Sequence, residues 1–166
     1  MALLLMGIIF GGACYKWGDW KHWKLYYPTL LFYMVGALTE NIITAKKVLW
    51  LFYGSYPIDR LSDYIFGLLI FPSIEILFLS RYPKGFMRQL VYMLSFIGLM
   101  SLVELILYST HLLVYYNGWT YGWSVLLYIG VFPLLRLHFK KPIVALVVLF
   151  ALAIGGFIYF KLPLTA

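Results

Sequence analysis

Six long apolar stretches, separated by short connections rich in Lys, Arg and aromatic residues, constrain this chain more than any other feature of it. A helix that crosses a bilayer needs about 20 mostly apolar residues, fewer where the bilayer adapts. The stretches run Met1 to Tyr15, Tyr26 to Thr44, Leu61 to Leu79, Gln89 to Tyr108, Gly122 to Leu137 and Ile143 to Phe160. They predict an all-α fold, a polytopic transmembrane helical bundle of six spans, or of five, because the first and fifth stretches are short. Of the 166 residues, 64% are hydrophobic and 11% charged, so the chain reads as a single integral membrane domain, residues 1–166, whose solvent is mostly lipid.

Prolines and glycines mark the helices. Pro28 is expected in the first turn of the second span and Pro142 just before the last, where a missing N–H does no harm. Pro72 and Pro133 fall inside spans and should kink the third and fifth helices, freeing carbonyls that side chains or water must satisfy. Gly7 and Gly11 give the first helix a GxxxG face for close packing. That first segment has no positive start and is followed by Lys16, Lys21 and Lys24, so it is expected to stay as an anchor rather than be removed as a signal.

The net charge of +7 does not point to nucleic acid, because the 13 Lys and Arg stand in small groups at the ends of apolar stretches. Lys16, Lys21, Lys24, Arg81, Lys84, Arg88, Arg136, Lys140 and Lys141 fall in or beside the first, third and fifth connections. Lys46, Lys47, Arg60 and Lys161 fall on the opposite side. The positive-inside rule then puts the larger group in the cytoplasm and, with six spans, both termini outside. Trp17, Trp20 and Trp23 suit an interfacial anchor beside those lysines, His22 is expected to be solvated, and His138 is expected to face headgroups. The bilayer is the implied partner, with a homo-oligomer or a membrane protein partner in addition.

Four of the six acidic residues, Glu40, Asp63, Glu75 and Glu104, sit in or at the edge of the apolar stretches, where an ionised carboxylate is costly. Glu40 lies 14 residues beyond Tyr26, roughly 21 Å along its helix, and Glu104 lies 16 beyond Arg88, about 24 Å along its own. Asp63 begins the returning third helix, so three carboxylates from three helices are expected at one depth, the outer third of the membrane. Thr29, Tyr33, Gly36 and Glu40 form one helical stripe, and Gly98, Ser101, Glu104, Tyr108 and His111 form another. Asn41 and Asp59 are close enough in sequence to join, and Arg60 or His111 to neutralise part of the charge. The candidate ligand site is therefore Glu104, Asp63, Glu40, Asn41, Ser101, Tyr108 and His111. The same residues would equally serve as interhelical hydrogen-bonding groups that hold the bundle together. Glu75 is about 18 Å deeper than Asp63, at the level of Arg81, Arg88 and Arg136, and a structural ion pair with them is expected.

No cofactor or metal site is expected. The single Cys14 excludes an internal disulfide, no Cys/His spacing suits zinc, and no phosphate loop, dinucleotide fingerprint, HExxH or nucleophile elbow occurs. Aromatics, at 20% of the chain, would line a pocket for a cation or carbocation or simply serve as core and interfacial anchors.

The order of motifs resembles a known family. These are Gly18-Asp19-Trp20 with Trp23, Tyr26-Tyr27-Pro28-Thr29, Arg81-Tyr82-Pro83-Lys84-Gly85-Phe86, Val103-Glu104, Tyr115-Tyr116-Asn117-Gly118-Trp119 and Phe132-Pro133-Leu134-Leu135-Arg136-Leu137-His138. Together they are similar to a family of small polytopic membrane proteins, of no established activity, from Bacillus- and Clostridium-type spore-forming Firmicutes. The resemblance implies a multi-pass protein of the bacterial cell membrane, or of a spore membrane, and no mechanism. It also implies acids at Asp63 and Glu104, with non-acidic residues more usual at Glu40 and Glu75. Three functions stay open: binding of a cation, amine or lipid headgroup at an outer-leaflet acidic site; a membrane-embedded enzyme that protonates an isoprenoid; or a structural, partner-binding subunit.

Overall fold

The computed structural model describes residues 2–52 and 66–162. Six α-helices occur among them: α1 Ala2–Trp17, α2 Trp23–Ile43, α3 Phe71–Ser80, α4 Phe86–Ser109, α5 Tyr121–Lys140 and α6 Pro142–Tyr159. A π-helical segment, Phe66–Ile70, runs directly into α3, and two short strands, β1 Trp50–Phe52 and β2 Leu113–Tyr115, complete the chain. Three helices, α4, α5 and α6, are long and apolar enough to cross a membrane. By this measure three of the six expected spans are found among the described residues, and residues 61–65 of the expected third span lie outside them. α1 stops at 16 residues, Phe66–Ser80 is a shorter apolar helix, and α2 carries Lys24, Glu40, Asn41 and several tyrosines along its 21 residues.

The helices nevertheless alternate in direction as the connections require. At one end, the Arg81 Nε donates to the Trp17 carbonyl at 3.1 Å, tying the first connection to the third. At the other end β1 and β2 pair antiparallel, Trp50 with Tyr115, Leu51 with Val114 and Phe52 with Leu113. The Tyr116 N–H extends the ladder to the Leu49 carbonyl (2.8 Å), and Asn117 Nδ2 donates to the Val48 carbonyl (2.7 Å). Lys47 Nζ reaches the Phe160 carbonyl at the end of α6, at 2.6 Å. The nine basic residues therefore share one end, and Lys46, Lys47 and Lys161 lie at the other; Arg60 lies outside the described residues.

Local chemistry fixes the elements. α1 ends at Gly18, whose N–H bonds the Cys14 carbonyl at 2.7 Å, while Trp20 Nε1 donates to the same oxygen at 2.9 Å. A Cβ at Gly18 would stand 2.5 Å from that oxygen, so the close turn admits glycine alone. The next turn is held by Asp19, which accepts from His22 Nδ1 (3.0 Å) and from the Tyr26 hydroxyl (2.9 Å). α2 begins at Trp23, three residues before the expected span, so Pro28 lies inside the helix rather than in its first turn. Pro72 is in the first turn of α3, and the wide π turn before it takes the place of the expected kink. Pro133 is inside α5 and Pro142 opens α6, both as expected. Gly7 packs against Leu69, 3.0 Å from where its Cβ would be, but Gly11 faces open space, so only half of the GxxxG pair makes a contact.

The core surrounds α3. Phe78 is wholly buried among Tyr82, Tyr92, Phe96 and Phe132, with ring centroids 5.0 to 5.8 Å away. Burying each such side chain contributes about 1.5–3 kcal/mol where the alternative is water. α6 packs chiefly on α5, and nearly all of its apolar surface is exposed, as befits a lipid-facing helix.

Candidate functional site

α4 turns Glu104 inward, to 7% exposure, on the same face as Met100, Ser101 and Leu107. Its Oε1 accepts the Tyr115 hydroxyl at 2.7 Å, and its Oε2 accepts the Tyr128 hydroxyl. Tyr115 is brought there by the strand pairing and stacks on Tyr108, 4.8 Å between centroids. Tyr128 comes from the buried face of α5, where Ser124, Tyr128, Phe132, Leu135 and His138 follow one another at helical spacing. Burial and the hydrogen bond given to Glu104 hold the Tyr115 phenol well above its usual range.

Glu104 lines a cavity of about 120 Å³ together with Glu40 and Asn41 at the end of α2. Seven aromatic rings share the wall: Tyr33, Trp50, Phe52, Phe66, Phe71, Trp119 and Tyr128. Tyr33 stacks on Phe71 (4.6 Å), Phe52 on Phe66 (5.0 Å), and Trp50 tilts against Trp119 (4.7 Å). The polar groups of this wall are mutually engaged: Thr44 Oγ1 donates to Glu40 Oε1 at 3.1 Å, and Trp119 Nε1 to Ser124 Oγ at 2.9 Å. No Lys, Arg or His is among the described lining residues. An ionised carboxyl offers about four acceptor positions, and Glu104 uses two on tyrosines, which leaves acceptor capacity for a ligand.

The expected site is thus assembled in part. Glu104, Glu40 and Asn41 meet at one cavity. Ser101 sits one turn before Glu104, its Oγ buried without a partner among the described residues and its carbonyl accepting the Tyr121 hydroxyl at 3.0 Å. Tyr108 joins the site by stacking on Tyr115, and His111, exposed with φ 57, sits in the turn after α4. Asp63, with Asp59 and Arg60, lies outside the described residues. The two tyrosine partners of Glu104 are additions that sequence reasoning missed, with the α5 spacing from Ser124 to His138 the available signal for Tyr128.

Two expectations about charged groups fail. Glu75 is fully buried, yet neither carboxyl oxygen has a hydrogen-bond partner among the described residues, and no ion pair forms with Arg81, Arg88 or Arg136. Arg81 is drawn to the carbonyl end of α1, where a cation is favoured by the helix dipole. Arg136 lies over the rings of Tyr82 (4.2 Å) and Phe139 (5.5 Å), a cation–π arrangement that holds it away from the acid. Arg88 is exposed. His138 does not face headgroups: it is 8% exposed, hydrogen-bonded through Nδ1 to Thr29 Oγ1 at 3.0 Å and stacked on Phe32 at 4.1 Å. The α5 face that carries it points into the bundle, which sequence proximity to Lys140 concealed. No cluster of three or more potential metal ligands occurs among the described residues. Compared with known proteins, the chain matches no family model, no curated sequence and no solved structure.

Proposed function

We propose that this chain is a multi-pass membrane protein that binds a small alkylammonium cation in the Glu40/Glu104 cavity, whether a free amine or the ammonium group of a lipid. One observation carries the reading: two acidic residues and seven aromatic residues line a single small space. Ring faces attract ammonium ions most strongly when water is excluded, and aromatic cages are a general solution for quaternary ammonium recognition. In this reading the basic end is cytoplasmic, all six helices lie in the bacterial cell membrane, and the cavity belongs to the outer leaflet.

The aromatic wall would also suit a carbocation formed by acid chemistry on an isoprenoid. Size argues against it, because a cavity of about 120 Å³ is well below the roughly 300–1,000 Å³ that accommodates larger ligands. Trp50 and Trp119 in the wall supply the assay. Titration with tetramethylammonium should change tryptophan emission saturably, and Glu104→Gln should weaken binding about 10- to 100-fold, the value of a hydrogen-bonded charge. Mass spectrometry of co-purified lipids separates the sources: an ammonium lipid lost in the variant indicates a headgroup, and unchanged lipids with retained tetramethylammonium binding indicate a free amine. Identical titration curves for both proteins would overturn the reading.

A further inference from the structure

Glu75 is the one fully buried acid among the described residues, and both of its oxygens lack a partner. It lies one helical turn, about 6 Å along α3, from Phe71, whose ring is part of the cavity wall. Tyr33 of α2 stacks on that ring and is within electrostatic range of both Glu75 and Glu40. Phe71 and Tyr33 thus link the cavity wall to the buried acid.

None of the other described titratable groups on the elements around α3 forms an ion pair or a hydrogen bond with Glu75, although Arg136 Nε is likewise buried without a partner among the described residues. Cys14 of α1 sits beside Ser73, and the Tyr92 hydroxyl of α4 donates to the Leu77 carbonyl at 3.0 Å. Arg136 and His138 of α5 are held by aromatic rings and Thr29, and the π segment Phe66–Ile70 has no titratable residue. No cation among the described residues compensates Glu75, and the neutral acid is the form that needs no counter-charge in an apolar interior.

We propose that Glu75 is a proton-exchange site, at which binding of one cation in the adjoining cavity releases one proton. The proposal rests on the cation-binding reading above. The balance is simple: the O–H bond of the Glu75 carboxyl breaks, the proton leaves to water, and the carboxylate left behind matches the positive charge that has entered. A buried carboxylate beside a cation is a compensated pair, whereas one beside an empty cavity is not. Net charge in the interior is unchanged by the exchange, which is what a low-dielectric site requires.

The test is calorimetric titration of the whole chain in nanodiscs with tetramethylammonium, which has no proton of its own, in two buffers of different ionisation enthalpy. Wild type should release about one proton per cation bound, and its Kd should fall about tenfold per pH unit while Glu75 is protonated in the empty protein. Glu75→Gln should bind without releasing a proton and with a flat pH profile. Binding by wild type with no release, or an unchanged release in Glu75→Gln, would overturn the proposal. Should the variant not fold, infrared difference spectra of wild type decide: cation addition should remove a protonated-carboxyl band, and its persistence counts against the exchange. Absence of tetramethylammonium binding by wild type at every pH would instead remove the cation-binding reading, and this one with it.

Discussion

Glu104 and Asp19 show how differently two carboxylates act in the same chain. Glu104 is buried and accepts from two phenols, so loss of one donor leaves a buried acceptor short of a partner. Tyr128→Phe should therefore cost about 1–3 kcal/mol, and Tyr115→Phe less, since Tyr115 is only partly buried. Thermal unfolding in detergent followed by tryptophan emission would rank the two. Asp19 sits at the basic end. Partial desolvation would raise its pKa, but hydrogen bonds from His22 and Tyr26 outweigh this and hold it below its ordinary value of 3.8. Its contribution is fully present above pH 3.8 and is lost as pH falls through the lower folded value. Emission from Trp20 and Trp23 should change in that acid window, and Asp19→Asn should abolish the transition. The sequence marked Glu104 through its depth and stripe, but not its tyrosine partners, because hydrogen bonds between residues on different elements leave no periodic trace.

At the level of elements, the last three apolar stretches were legible to within three residues. Gln89 to Tyr108 became Phe86–Ser109, Gly122 to Leu137 became Tyr121–Lys140, and Ile143 to Phe160 became Pro142–Tyr159. Long apolar runs bounded by charge, glycine and proline announce helices plainly. The β1–β2 ribbon was not legible, because three-residue strands carry too little alternation to be told from aromatic loop sequence. Yet that ribbon delivers Tyr115 to Glu104 and Trp50 to the cavity. The turn after α1 gives the clearest test of an element boundary. Gly18→Ala must push its Cβ away from the Cys14 carbonyl and should destabilise the protein by about 1–3 kcal/mol, read as a lower Tm.

Across the whole molecule, charge is segregated by end: nine basic residues at one, three described at the other. Such asymmetry sets orientation in a bilayer. Impermeant amine labelling of intact cells should modify Lys47 and Lys161 and spare Lys84; the opposite pattern would place the cavity on the cytoplasmic side. The bundle also has an uneven grip on its last helix. α6 leans chiefly on α5, but its far end is clasped where Phe160 packs against Trp119 (5.2 Å) and Trp123 (5.3 Å). Trp119 is at the same time a wall of the cavity. One indole is thus both a side of the binding space and the latch of the helix most open to lipid. A cation bound there as proposed would press on the latch, and the surface that α6 turns outward would then report occupancy.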